Sequence, residues 1–257
     1  LPDSVTEIEK YAFFETGLRN IQLPEKLTLI GAYAFCNCKN LEQVQLPSQL
    51  KELGNGAFSS CENLTQIQLP AQLNKLGTDA FRNCTSLDKI DIPAGLTQIE
   101  SDTFCNTGLT SVTLHEGLTK IEDGAFHDCL KLKKIRIPKS VTDIGGLALG
   151  IRYNRGNGAE EVIPGGFTVE GYTGSAAERY VKRMHQCENL YHVFFKDVKF
   201  VSIGGQTAAV TNISKTKISA LKTGAFTGKP LTQALTITYG GKKLVNGRDY
   251  TLTWKNK

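Results

Sequence analysis

Histidines and carboxylates are the residues of this chain that could carry acid–base or metal chemistry, but they form no recognisable site. The four histidines occupy unrelated positions: His115, His127, His185 and His192. Several carboxylates fall in the predicted outer turn segments and are expected to be solvated turn residues rather than a glycosidase-type pair: Asp79, Glu100, Asp102, Glu122 and Asp123. No nucleophile, base and orienting residue line up, and the motifs of hydrolases, zinc proteases and nucleotide-binding loops are absent. The sequence therefore predicts a protein that is not an enzyme and takes no cofactor.

The seven cysteines could hold zinc or form disulfides, and their spacing tests both ideas. A zinc site needs paired C-x₂-C or Cys/His spacing, which is missing, since Cys36 and Cys38 are one residue too close. Four cysteines instead lie three residues after a phenylalanine, and two threonines take the same position: Cys38, Cys61, Cys84 and Cys129, with Thr16 and Thr107. A position that accepts Cys or Thr requires a small side chain. We predict buried free thiols and no metal, with disulfides between neighbouring repeats as the alternative.

These phenylalanines and cysteines belong to a repeat of 22 or 23 residues. Aligned on an opening leucine, the units begin at Leu18, Leu41, Leu64, Leu87, Leu109 and Leu132. Each unit has the pattern L-x-x-I-x-L/I-P, then V/L-x-x-I/L, then a small-residue segment that ends in A-F-x-x-C. A fixed period of this length is typical of a solenoid, because one unit cannot bury its own apolar face and stacked units share a core.

Each part of the unit has a local structural reason. In "LTQIQLP" the apolar residues alternate with glutamines, which predicts a half-buried strand, and Pro70 ends it because proline has no N–H to donate. The next apolar pair, Leu73 and Leu76, fits a shorter extended piece or bend. Gly77 and "TDAF" predict a turn or short helix on the outside of the coil. The repeat phenylalanines are then predicted to stack as an internal column: Phe35, Phe58, Phe81, Phe104 and Phe126.

The stretch "IQLPAQLNKLGTDAFRNCTSL" resembles the leucine-rich repeat of BspA-like surface proteins. The resemblance covers residues 1–195 and includes the proline, the Ala-Phe pair and the cysteine. It implies a mainly β leucine-rich repeat solenoid with short turn or helix segments and a sheet on one side. It also implies an extracellular or cell-surface location and a role in adhesion or recognition. The sixth unit departs from the pattern, where "IGGLALGIRYNRGNGAEEVIPGG" replaces the Ala-Phe turn.

The residues after this departure resemble the cap that terminates such solenoids. We predict a strand from Phe167 to Gly171, a helix with Ser175 as N-cap and Glu178 closing a capping box, and a strand from Tyr191 to Phe195. At the other end, Leu1-Pro2 aligns with Leu23-Pro24 in mid-repeat. The chain is therefore expected to be a fragment of a longer protein.

The remaining sequence differs in charge and pattern. Residues 196–257 carry 11 Lys+Arg and 2 Asp+Glu, against 19 and 23 in residues 1–195. We predict a linker at 196–212. The stretches "FTGKP" and "GRDYTLTWKNK" resemble bacterial immunoglobulin-like stalk repeats, which implies an incomplete immunoglobulin-like domain, part of a β-sandwich, at 213–257. Alternation in "ALTITY" and "DYTLTW" around Gly240-Gly241 and Asn246-Gly247 indicates antiparallel strands. The basic residues are typical of the solvent-exposed face of β-strands, so no nucleic-acid partner is expected. Binding to an anionic wall polymer is the alternative. No apolar run is long enough for membrane insertion.

The candidate binding residues are the outward positions of the first strand in each unit. They are Asn20, Gln22, Gln43, Gln45, Gln66, Gln68, Lys89, Asp91, Lys134 and Arg136, with Ser111 and Thr113 in the fifth unit. Amides dominate one end of this row and cations the other. A regular array of amide donors and acceptors suits glycan hydroxyls or a polar protein surface. The alternative is that the glutamines only form a solubilising ladder.

The resemblance implies a non-catalytic cell-surface or secreted module, which we expect to bind host or bacterial surface protein or glycan through the strand face. One alternative is a passive spacer that presents another domain of a larger surface protein. Another is an enzyme with its site in the loop at 145–166.

Overall fold

The computed structural model describes residues 1–154, 156, 158–186, 195, 197–204, 237–239 and 242–244. The chain divides into two units, Leu1–Ile203 and Gly204–Lys257. In chain order, the elements of the described residues are β1 (Glu7–Ile8), β2 (Asn20–Ile21), β3 (Leu29–Ile30), β4 (Gln43–Val44), β5 (Glu52–Leu53), β6 (Lys75–Leu76), β7 (Lys89–Asp91), β8 (Gln98–Ile99), β9 (Ser111–Thr113), β10 (Lys120–Ile121), β11 (Lys134–Arg136), β12 (Asp143–Ile144), β13 (Ile151–Asn154), β14 (Ala159–Val162), β15 (Phe167–Tyr172), α1 (Ala176–Gln186), β16 (Val198–Gly204), β17 (Ile237–Tyr239) and β18 (Lys242–Leu244).

The first unit is a solenoid in which each repeat contributes to parallel ladders of short strands. The first ladder contains the predicted repeat strand and includes β2 with β4, β7 with β9, and β11 with β15 and β16. The second ladder contains β1, β3, β5 and β6, followed by β8, β10 and β12. The predicted second piece, Leu73 to Leu76, therefore contains a strand of its own. The solenoid predicted from the period is confirmed.

A proline corner joins the two ladders in most repeats. The carbonyl oxygen of Pro70 accepts the N–H of Leu73 at 3.0 Å, and Pro47 and Pro93 form the same turn with the leucine three residues later. The turn redirects the chain and keeps the following leucine in the core, where Leu73 is fully buried. The predicted interruption of the strand at Pro70 thus has a specific geometry.

The segment around each repeat phenylalanine is a turn, and stacked turns form a third set of hydrogen bonds, here called the turn ladder. In each repeat every second N–H donates to a carbonyl of the next repeat, as Phe58 N does to Ala80 O at 2.8 Å. The residues two before and two after the phenylalanine have positive φ, for example 58° at Asp79 and 61° at Asn83. Asp, Asn and Gly tolerate this conformation best, which explains their frequency in the segment.

The repeat phenylalanines stack in one internal column, as predicted. Neighbouring rings from Phe35 to Phe126 lie 5.2–5.7 Å apart between centroids, and Phe13 extends the column at 5.0 Å from Phe35. The five predicted rings are at most 1% exposed. Burial of these rings between neighbours makes the column a large part of the shared core.

The repeat cysteines are free and buried, as predicted, among the described residues. Each also donates a hydrogen bond that the sequence did not reveal: Cys61 Sγ lies 3.2 Å from Phe35 O, and Cys84 Sγ lies 3.1 Å from Phe58 O. Thr107 places its hydroxyl 2.9 Å from Phe104 O, in its own repeat. The position therefore selects a small side chain that can also donate to a turn-ladder carbonyl.

The cap contains the predicted strand and helix, with two differences. The capping box is wrong in detail: Glu178 Oε2 accepts the N–H of Gly174 at 2.6 Å, because the N–H of Ser175 already donates to Tyr172 O at 3.0 Å. The Ser175 hydroxyl is buried without a hydrogen-bond partner among the described residues. The predicted strand Tyr191 to Phe195 lies outside the described residues except for Phe195. The strand that joins β15 in its sheet is β16, within the segment 196–212 predicted to be a linker.

Helix α1 provides hydrogen-bond partners for backbone groups at the end of the ladders, where no further repeat follows. The hydroxyl of Tyr180 bonds both the N–H and the carbonyl of Leu149, and Arg179 Nη2 donates to Thr142 O at 3.0 Å. Arg183 Nη2 donates to Ile144 O. The predicted capping role of the helix thus rests on backbone groups of the last full repeat.

The second unit is described only in part. Strands β17 and β18 pair antiparallel, with Tyr239 opposite Lys242. This antiparallel pairing agrees with the strands predicted on either side of Gly240-Gly241, which themselves lie outside the described residues. The predicted strand "DYTLTW" lies outside the described residues.

Candidate binding face

The first ladder brings the predicted binding residues into one row of exposed side chains. All ten are exposed: Asn20, Gln22, Gln43, Gln45, Gln66, Gln68, Lys89, Asp91, Lys134 and Arg136. The register places Asn20 opposite Gln43 and joins Gln43 to Gln66 by an isolated bridge. The apolar residues between them, such as Val44 and Ile67, point into the core and are 6–7% exposed. Alternation along the strand therefore fixes which side chains form the face.

The glutamines of this face have unused hydrogen-bonding groups. Among the described residues, the side chains of Gln43, Gln45, Gln66 and Gln68 form no hydrogen bond with the protein. The amides of the turn ladder behave differently: Asn106 Nδ2 donates to Asn83 Oδ1 at 2.9 Å, and Asn83 Nδ2 donates to Ser60 Oγ at 3.3 Å. The turn amides support the structure, whereas the face amides are available to a ligand.

A groove runs beside this face along the proline corners, and we call it the corner groove. It is open, has a volume of about 960 Å³, and is lined by residues of consecutive repeats: Glu25, Gln45, Leu46, Pro47, Ser48, Gln49, Lys51, Gln68, Leu69, Pro70, Ala71, Gln72, Asp91, Pro93 and Ala94. Three predicted residues, Gln45, Gln68 and Asp91, therefore form one wall of the groove. The sequence did not predict the groove, because the opposite wall comes from residues after the proline.

A smaller groove lies along the corners of the repeats closer to the cap, and we call it the Arg136 groove. Its volume is about 220 Å³, and it is lined by Val112, Thr113, Leu114, Glu116, Arg136, Ile137, Pro138 and Tyr172. Between the two grooves, His115 occupies the position of the repeat proline and its Nε2 lies 2.8 Å from Asp91 Oδ1. The cationic end of the face is thus separated from the amide end by a His–Asp pair.

The predicted cations of the face differ in their partners. Lys134 Nζ lies 3.7 Å from Glu170 Oε1, across the pairing of β11 with β15. Arg136, which is the register partner of Glu170, forms no ion pair or hydrogen bond among the described residues. Asp91 is engaged by His115. Arg136 is therefore a cation of this row whose guanidinium N–H groups have no acceptor among the described residues.

The carboxylates of the outer turns make structural contacts in the described part of the chain. Arg82 Nη1 lies 3.2 Å from Asp79 and 3.0 Å from Asp102, so these carboxylates form a salt bridge around one cation. Asp123 Oδ1 accepts the N–H of Gly146. Among the described residues, no group of three or more His, Cys, Asp or Glu side chains is arranged to hold a metal ion.

The segment 145–166, considered above as an enzyme site, is a hairpin that docks on the turn ladder. Glu160 Oε2 lies 2.7 Å from His127 Nε2, and Cys105 Sγ lies 3.9 Å from His127 Nδ1. This cysteine, histidine and glutamate resemble a nucleophilic triad in composition. However, the thiol is only 3% exposed, and burial raises the pKa of Cys105 to about 12. A thiol that stays protonated and inaccessible is not a nucleophile, so the cluster serves to dock the hairpin.

Comparison with known proteins agrees with this geometry. A family model described as "BspA type Leucine rich repeat region (6 copies)" matches residues 1–107 and 97–150. The chain belongs to this family. The match indicates no catalytic family, and it gives no support to the predicted immunoglobulin-like domain. Comparison with curated proteins returns no match.

Solved structures of other leucine-rich repeat proteins have the same fold. A leucine rich cell surface protein from Faecalibacterium prausnitzii is 25% identical, with a TM-score of 0.52, over 65% of this chain and 59% of that one. A leucine-rich repeat protein from Bacteroides ovatus is 24% identical, with a TM-score of 0.55, over 79% and 61%. One from T. pallidum is 26% identical, with a TM-score of 0.50, over 70% and 76%. The chain thus spans about 60% of the first two proteins.

The described residues contain no helix with the length and apolar character needed to cross a membrane.

Proposed function

We propose that this BspA-type chain is a non-catalytic recognition module of a surface or secreted protein, and that it binds a glycan or protein partner through the first-ladder face. The surface location is supported by the similarity to the leucine rich cell surface protein from F. prausnitzii. The partner is a host or bacterial surface molecule, in keeping with a role in adhesion.

The observation that carries this proposal is the row of free amides beside the corner groove. Gln43, Gln45, Gln66 and Gln68 are exposed, regularly spaced and without hydrogen bonds to the protein among the described residues. Neighbouring strands lie about 4.8 Å apart, so the amides form an array whose order is already provided by the fold. Binding to such an array requires little further ordering of the protein. A purely solubilising ladder needs no groove along its edge.

The test replaces Gln45 and Gln68 together by arginine and measures binding to a glycan array and to a set of extracellular glycoproteins. We expect binding to fall at least tenfold while the free energy of unfolding changes by less than about 0.5 kcal/mol, as is usual for exposed sites. The matched control is Asn74→Arg with Gln98→Arg, which adds the same charge to exposed positions of the second ladder. Equal loss in the control would indicate a charge effect alone.

The same experiment separates recognition from the passive spacer. If the wild-type protein binds none of the probes, or binds them all without dependence on Gln45 and Gln68, the face is not a recognition surface. Deleting the hairpin is not a clean test of that segment, because Ile151 and Ile163 are at most 1% exposed and belong to the core. Replacing the 46% exposed Tyr153 by alanine tests the hairpin without opening the core.

A further inference from the structure

The Arg136 groove combines side chains that are distant in sequence. Thr113 and Arg136 come from neighbouring repeats of the first ladder, and Tyr172 comes from the end of β15 in the cap. The pairing of Arg136 with Glu170 brings Tyr172 next to the proline corner at Pro138. The three side chains meet in a groove of about 220 Å³, which corresponds to about seven water molecules at about 30 Å³ each. Such a groove accommodates one small ring rather than a drug-sized ligand.

The charges around this groove leave one cation without a partner. Glu170 is the carboxylate nearest in register to Arg136, but its Oε1 lies 3.7 Å from Lys134 Nζ. Glu116 also lines the groove, and both of its oxygens accept backbone N–H groups, from Lys139 at 3.1 Å and Ser140 at 3.0 Å. The ion pair with Lys134 compensates Glu170, and the backbone hydrogen bonds compensate Glu116. The guanidinium of Arg136 therefore has its donors available to an incoming anion.

The groove also contains an aromatic side chain, whereas the predicted residues of the strand face include none. Tyr172 is half-buried and lines the groove together with Pro138. An aromatic ring offers an apolar surface with a polar hydroxyl at its edge, which suits the C–H face of a sugar ring and its hydroxyl groups. Thr113 adds a second exposed hydroxyl.

We propose that Arg136, Thr113 and Tyr172 form a subsite for the carboxylate-bearing sugar unit of a linear acidic glycan. This inference rests on the proposed function, since further units of the same glycan are placed along the corner groove and its amides. Arg136 forms a two-pronged hydrogen bond with the sugar carboxylate, which a guanidinium does better than a lysine ammonium group. Tyr172 packs against the ring, and Thr113 bonds a hydroxyl.

The structure favours a glycan over an acidic peptide. An extended peptide gains most of its affinity by adding a strand to a free sheet edge. That edge is not available here, because β11 pairs with β15 and Ile137 N donates to Glu170 O at 2.8 Å. The face instead offers side-chain amides and hydroxyls, which match a polymer rich in hydroxyl groups.

The experiment measures binding of the whole chain to tetragalacturonate by titration calorimetry. The matched probe is the methyl ester of the same oligosaccharide, which keeps the sugar backbone and removes the negative charges. We expect the ester to bind at least tenfold more weakly. Tetraglutamate is the peptide probe, and we expect it to bind at least tenfold more weakly than tetragalacturonate.

Variants of the groove identify the residues involved. We expect Arg136→Gln to weaken tetragalacturonate binding by about tenfold or more, Arg136→Lys to weaken it by less, and Tyr172→Ala to weaken it severalfold. Tyr172→Phe keeps the ring and should retain most of the affinity. The control is Lys131→Gln, which removes the same charge from an exposed position outside the groove, at the end of the preceding repeat. Equal unfolding midpoints establish that each variant is folded.

Several outcomes would overturn the inference. These are no binding of tetragalacturonate, equal binding of its ester, equal binding of tetraglutamate, or an equal effect of Arg136→Gln and Lys131→Gln. The proposed function is judged separately by the Gln45→Arg and Gln68→Arg pair. If another ligand depends on those glutamines and not on Arg136, only the acidic subsite is wrong. If no ligand depends on either, both proposals are wrong.

Discussion

The hydroxyl oxygen of Tyr180 lies 2.9 Å from both the backbone nitrogen and the backbone oxygen of Leu149. In earlier repeats the equivalent N–H donates to a carbonyl of the next repeat, as in Phe58 N to Ala80 O. In several repeats the equivalent carbonyl accepts a hydrogen bond from a thiol of the next repeat, as Phe58 O does from Cys84 Sγ. One phenol group thus replaces both the acceptor and the donor of a missing repeat.

Removing this hydroxyl should therefore destabilise the end of the solenoid. In Tyr180→Phe the buried N–H and carbonyl of Leu149 lose this partner while the ring is kept. We expect the free energy of unfolding to fall by about 1–3 kcal/mol. Tyr153→Phe, at a 46% exposed position, is the control and should change it by less than about 0.5 kcal/mol. Urea unfolding of both variants measures the difference, and equal midpoints would contradict the capping role.

The sequence predicted the features that follow from the repeat itself. A 23-residue period and a recurring Ala-Phe pair suffice to predict stacked turns, because every repeat must bury the same side chains against its neighbours. The Phe81 ring and the Cys84 thiol were therefore assigned to the core correctly. The outward direction of Gln66 and Gln68 follows from alternation with Ile67.

Other features depend on contacts between repeats and could not be predicted in this way. The two-residue strand Lys75–Leu76 is too short to show a period, so pairing with Glu52–Leu53 decides its conformation. The thiol of Cys84 needs an acceptor that only the preceding turn provides. Arg136 and Tyr172 lie 36 positions apart and meet because the cap strand continues the first ladder. Single-sequence patterns contain no signal for such a meeting.

The phenylalanine column should be sensitive to a cavity in its middle. Phe81 packs between Phe58 and Phe104 with ring centroids 5.7 and 5.6 Å away. We expect Phe81→Ala to lower the free energy of unfolding by about 3–5 kcal/mol, because packing is lost on both sides. The partly exposed Phe14 provides the control, since Phe14→Ala should cost much less. Chemical denaturation gives both values. A loss below about 1 kcal/mol for Phe81→Ala would show that the column does not stabilise the fold.

The repeat thiols should be unreactive in the folded protein. Burial raises the pKa of Cys61 and Cys84 far above the ordinary value, and it raises the pKa of Cys129 to about 11. Reaction with a disulfide reagent requires the thiolate. In the native protein at pH 8, therefore, at most one thiol should react, that of Cys187, which lies outside the described residues. Titration with a chromogenic disulfide should detect all seven thiols after denaturation without reductant. Fewer than seven in a freshly purified sample would indicate disulfides between repeats.

Glu178 should make the stability of the cap depend on pH. The Gly174 N–H and then the Lys182 ammonium hold the pKa of its carboxyl below the ordinary value. A lowered folded-state pKa means that the contribution is present above the unfolded pKa and is lost as the pH falls through the folded one. Glu178→Gln should therefore destabilise the protein at pH 7 by less than about 1 kcal/mol, since the group is near the surface. The difference should shrink as the pH falls below the ordinary glutamate pKa and vanish below the lowered folded-state pKa. Urea unfolding at several pH values measures it, with exposed Glu42→Gln as control. A difference that persists at low pH would mean that Glu178 acts through packing rather than charge.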